Sequence, residues 1–182
     1  MKYLAPCFAL VLLAAPAMAQ SIGEKTGINS TLGISPATED FVKQAAVSDM
    51  FEIQSSKLAQ ERGSAAEKSF AATVIKDHEK TTSELKSMVS GGELKMALPS
   101  ELDSSHASEL DKLKSLKGAD FSSRYDSDQV SGHEDAVSLF ERYARGGDHP
   151  KLKEWADVML PTLRHHIEMA QDLAAGKTVG KH

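Results

Sequence analysis

Four ionisable residues sit where apolar ones are expected. The run 70–88, FAATVIKDHEKTTSELKSM, carries a stripe of Phe70, Val74, His78, Thr81, Leu85 and Met88. Its steps of three and four are those of one helix face. His133 holds the same central place in the stripe Phe121, Tyr125, Gln129, His133, Ala136/Val137, Phe140, Ala144. So does His166 in the stripe Leu152, Trp155/Ala156, Met159, Leu163, His166, Ala170, Leu173. Glu52 falls beside Phe51 in a fourth stripe, with Phe41, Ala45, Ser48, Ser55, Leu58 and Ala59. Imidazole nitrogens and a carboxylate are ligands for a single transition-metal ion such as Zn²⁺, Cu²⁺, Fe or Mn. The same four groups also suit a closed Glu–His hydrogen-bond network that only fixes the core. The residue types do not choose between these. Asp77 and Glu79 are nearby carboxylates able to orient an imidazole.

Other chemistries find little support. The di-iron carboxylate motif needs Glu three residues before each histidine, and Ile75, Val130 and Leu163 stand there. A nucleophile elbow, a phosphate loop and a dinucleotide fingerprint are all missing. Met50, Met88, Met96, Met159 and Met169 are scattered and read as core fillers. His165 points away from the His166 face, and His106, His149 and His182 fall in helix starts, loops or the tail. Catalysis would require an open coordination position or a cavity beside the four residues, and the reading leans away from an enzyme.

The elements that must position these groups are helices. The pattern predicts long helices over 38–61, 64–90, 120–145 and 151–175, and a short one over 104–117. Thr38 reads as an N-cap, Ser64 and Glu67 as a capping box, and Pro150 as a helix start. Pro161 should kink the last helix. No alternating strand pattern occurs. The fold class is therefore all-α: a ferritin-like antiparallel four-helix bundle of two long hairpins, with a short extra helix in the central connection. At about 1.5 Å per residue, Glu52 and His78 lie roughly 6 Å apart in depth, and His133 and His166 roughly 7–8 Å. One central layer can hold all four.

Residues 1–19 read as a signal peptide, with Lys2, an apolar core too short to span a bilayer, and an Ala17-Met18-Ala19 cleavage site. Cleavage removes Cys7, the only cysteine, and, with Lys2 gone, makes the net charge of −5 one unit more negative. The expected location is the periplasm or the outer-membrane surface. Residues 20–37, rich in Gly, Ser and Thr, read as an extended, mobile leader. The bundle domain takes 38–176 and a tail 177–182. The acidic balance argues against nucleic acid as a partner, leaving a metal ion or the cell envelope.

The runs FEIQSSKLAQERG, FAATVIKDHEKTTSEL, ADFSSRYDSDQVSGHEDAVSLFE and LKEWADVMLPTLRHHIEMAQDL resemble the secreted bacterial family known as domain of unknown function 4142. The most specific pieces are Asp77-His78, Phe121 and Tyr125 before His133, and Leu160-Pro161 before His166. The resemblance implies a ferritin-like fold, often with a membrane or outer-membrane label. It places the family's recurrent Glu and three His on Glu52, His78, His133 and His166. Ser122 departs from the Asp that the family often carries after the Phe. The family has no established function. Two readings follow: a metal-binding protein in metal handling or stress tolerance, and a non-catalytic structural or interaction protein of the cell envelope.

Overall fold

The computed structural model describes residues 22–177. The expected signal peptide and most of the tail lie outside them. The bundle consists of α3 (Thr38–Arg62), α4 (Ala65–Ser90), α6 (Gly118–Gly146) and α7 (Pro150–Ala174). The connection between α4 and α6 carries the short α5 (Ser104–Ser115), and two one-turn helices, α1 (Ile22–Lys25) and α2 (Ile28–Thr31), precede the bundle. No strand occurs among the described residues, so the all-α expectation holds.

Cross-helix contacts give the topology. Turns of two and three residues make α3/α4 and α6/α7 antiparallel hairpins. Ser56 meets Tyr125 at 3.0 Å and Thr38 meets Tyr143 at 2.5 Å, so α3 and α6 also run in opposite directions. Asp77 with His166 and Glu84 with Trp155 do the same for α4 and α7. The order is up-down-down-up, with one long crossover between the second and third bundle helices, which is the connectivity of ferritin-like bundles.

The stripes read from sequence are the buried faces. Phe70, Val74, His78, Thr81 and Leu85 of α4 are buried, as are Phe121, Tyr125, Gln129, His133, Ala136 and Phe140 of α6. Two apolar clusters result. One is built around Phe41, Leu85, Phe140, Tyr143 and Leu163, and the other around Phe51, Phe70, Val74, Leu113 and Tyr125. The histidines occupy the level where one cluster gives way to the other.

The Ser64–Glu67 capping box forms as expected, and Pro150 opens α7. Three local expectations are corrected. Thr38 is not the N-cap of α3: Ala37 holds that position without a side-chain cap, and the Thr38 hydroxyl is taken by Tyr143 and Asp148. The short helix ends at Ser115, before the 117 that the pattern placed. Leu116 caps it, and Gly118 (φ 53°) begins α6 two residues earlier than the pattern placed it. The segment 22–37 is not extended throughout, since it holds α1 and α2. Its buried Glu24 forms a 2.9 Å ion pair with buried Arg142 of α6, a residue 118 positions away. Short-range sequence signals carry no trace of such a partner. Through Pro161, α7 continues to Ala174.

Candidate metal centre

His78, His133 and His166 converge in the middle of the bundle. Their exposures are 3%, 1% and 0%. Ring centroids lie 5.6 Å (78 to 133), 5.5 Å (78 to 166) and 5.1 Å (133 to 166) apart. One nitrogen from each ring lies within 4.8 Å of one from each of the others.

Each ring is tethered through one nitrogen only. His78 Nδ1 donates to Asp49 Oδ1 at 2.8 Å, His133 Nδ1 to the Gln129 carbonyl at 2.8 Å, and His166 Nε2 to Asp77 Oδ2 at 3.1 Å. A carbonyl or an ionised carboxylate only accepts, so these bonds fix the tautomers. The lone pairs left to give are on His78 Nε2, His133 Nε2 and His166 Nδ1. Each of these is buried and has no hydrogen-bond partner among the described residues. Imidazole metal ligands are oriented in this way, with the second nitrogen donating to a carboxylate or carbonyl.

Electrostatics keep two rings neutral. Burial pushes His133 down to about 3 and His166 to about 2, and the neighbouring imidazoles add to the effect. For His78 burial also acts downward, but the hydrogen bond to Asp49 and that residue's charge outweigh it and raise the pKa. The Asp49 carboxylate is itself held on three sides, by His78, Thr81 at 3.3 Å and Thr82 at 3.1 Å.

Glu52 is buried at 2% exposure but stands outside the three-nitrogen set. Its carboxylate lies against α6 at Gly132, where a Cβ would come within 3.0 Å of Oε1. A side chain at 132 would crowd it. Oε2 has no partner. Burial raises this carboxyl to about 7, against the pull of His78.

Of the candidates read from sequence, the three histidines come together and Glu52 adjoins them from the α3 side. Asp77 does orient an imidazole, although it is that of His166 on the facing helix rather than the adjacent His78. Glu79 lies on the exposed face near Lys57. Asp49 was missed. The available signal was its position three residues before Glu52, which puts both acids on one side of α3. His165 is on the surface near Glu168, and His149 caps α7 by accepting from the Leu152 N–H at 3.3 Å.

Two openings approach the centre. A cleft of about 50 Å³ between α4 and α7 is lined by Asp77, His78, Lys80, Met159 and His166 among others. A cavity of about 560 Å³ on the other side reaches Glu52 and Gly132.

The family described as Domain of unknown function (DUF4142) matches residues 23–173, and the chain belongs to it. No curated protein and no solved structure matches the chain.

Proposed function

We propose that this member of the DUF4142 family binds one transition-metal ion through His78 Nε2, His133 Nε2 and His166 Nδ1, as an exported metal-handling protein. The observation that carries this reading is the set of three buried imidazoles, each tethered through one nitrogen and unpartnered at the other. Leaving a buried polar atom unpaired costs about 1–3 kcal/mol, so three of them on rings whose centroids lie 5.1–5.6 Å apart call for a common acceptor of their lone pairs. Neutral imidazoles suit Zn²⁺, Cu²⁺ and Fe. Three protein ligands leave a coordination position beyond the protein nitrogens, and buried Glu52, whose Oε2 is unpartnered and on which the charge of His78 acts, is the carboxylate to fill it. Export rests on residues 1–19 reading as a cleaved leader.

A second reading has its own observation. Asp49 bonds His78, Thr81 and Thr82 across α3 and α4, and Asp77 bonds His166 across α4 and α7. Such tethers would hold a purely structural protein of the cell envelope together equally well. The two readings part on metal. Chelator-treated protein is melted with and without Zn²⁺. At a free concentration of about 100 times Kd the gain is about 2.7 kcal/mol, which raises the midpoint by roughly 5–10 °C for a chain of this size. His78→Ala, His133→Ala and His166→Ala should each lose the shift. Asp49→Asn should keep it but require roughly 10–100 times more metal. No shift in the native protein sinks the metal reading and leaves the structural one.

A further inference from the structure

The large cavity has a distinctive make-up. It opens between α3, α5 and α6, with residues of α1 and α2 over it. Glu109 and Asp135 stand on its walls and make no ion pair among the described residues. The other wall acids, Glu24, Asp103 and Asp128, are matched by Arg142, His106 and Arg124. At the inner end lies Glu52, 2% exposed, with Oε2 unpartnered. Gly132 precedes His133 on α6, and the charge of His78 acts on Glu52, so Glu52 stands between this end of the cavity and the imidazole layer.

We propose that this cavity is the way in for a hydrated divalent transition-metal cation, and that Glu52 is the carboxylate that takes the cation first and passes it to the histidines. The proposal rests on the metal reading of the three imidazoles. As Oε2 binds the metal it replaces one water of the hydration shell, and that water leaves into the cavity. Each imidazole lone pair then replaces another.

Size and charge favour this side over the α4–α7 cleft. A cavity needs about 10–15 Å³ per water it holds, so a cation with a six-water shell needs roughly 60–90 Å³. The cavity offers 560 Å³ and the cleft only 50 Å³. The cleft also carries the Lys80 ammonium beside its one carboxylate, Asp77. A concave surface with surplus negative charge raises the local cation concentration and the association rate by about 10–1000-fold, an effect that salt suppresses.

The test is stopped-flow uptake of Co²⁺ by the full mature protein, followed by the visible absorption of the bound ion. Glu109→Gln/Asp135→Asn should slow association on the order of tenfold at low salt. Its rate should converge on the native one at high salt, and the final spectrum and stoichiometry should not change. Glu52→Gln should slow uptake at every salt concentration. Lys80→Glu, at the other opening, should leave the rate unaltered. Native rates in both the double variant and Glu52→Gln, or faster uptake by Lys80→Glu, would overturn the proposal while the metal reading stands. If the native protein takes up no Co²⁺ at all, the metal reading fails and the route fails with it.

Discussion

At the scale of single residues, the centre is a set of groups whose protonation has been pushed apart. His133 and His166 are held neutral by burial, while His78 is biased toward its proton by Asp49. Glu52 moves in the opposite direction for the same reason, since burial penalises its ionised form and raises it from 4.5 to about 7. A carboxyl with a raised folded-state pKa contributes stability that is fully present below its unfolded value. That stability is lost as pH rises through the folded value. Between pH 4.5 and 7 the folded chain therefore binds a proton at Glu52 that the unfolded chain lacks. Glu52→Gln mimics the protonated form. In the presence of chelator, the variant should be more stable than the native protein at pH 8, by about 1–3 kcal/mol. Near pH 4.5 the two should be nearly equal. Urea unfolding at both pH values checks this, and a difference independent of pH would contradict it. The histidines were legible as residues because each interrupts an apolar stripe. Asp49 was not, because an acid at the edge of a wide stripe looks like ordinary helix surface until its partner on α4 is known.

At the scale of elements, the helices were legible because local rules set them. The stripe period, the Ser64–Glu67 box and the Pro150 start each work within a few residues. Errors came where a distant partner decides. Thr38 gives its hydroxyl to Tyr143 and Asp148 rather than to its own helix. The segment before the bundle is tied down by Glu24, whose two oxygens meet Arg142 at 2.9 and 3.3 Å while Arg142 also reaches the Ile34 carbonyl. Both members of that pair are buried. Removing one member of a buried pair strands the other charge and costs about 3–5 kcal/mol. Glu24→Gln should therefore lower stability by an amount of that order in urea unfolding. An unchanged midpoint would mean that α1 does not hold Arg142.

At the scale of the molecule, the histidine layer separates the two apolar clusters of the bundle. Such a layer is costly unless every member finds a partner. Here the tethers satisfy one nitrogen of each imidazole and leave the other unpaired. The bundle also presents two unequal openings to that layer, a narrow one beside His78 and His166 and a wide acidic one beside Glu52. Sequence reached the layer through the depth of each residue from its hairpin turn. It left Glu52 level with the histidines as an equal ligand, because helix rise gives height but not reach across the bundle. The central claim is that the three unpaired nitrogens share one metal ion. X-ray absorption at the zinc edge, on mature protein loaded with one equivalent of Zn²⁺, measures this directly. The account predicts a first shell with three imidazole nitrogens at about 2.0–2.1 Å, lost in the His78→Ala variant. An oxygen-only shell, or a spectrum identical in native protein and variant, would contradict it.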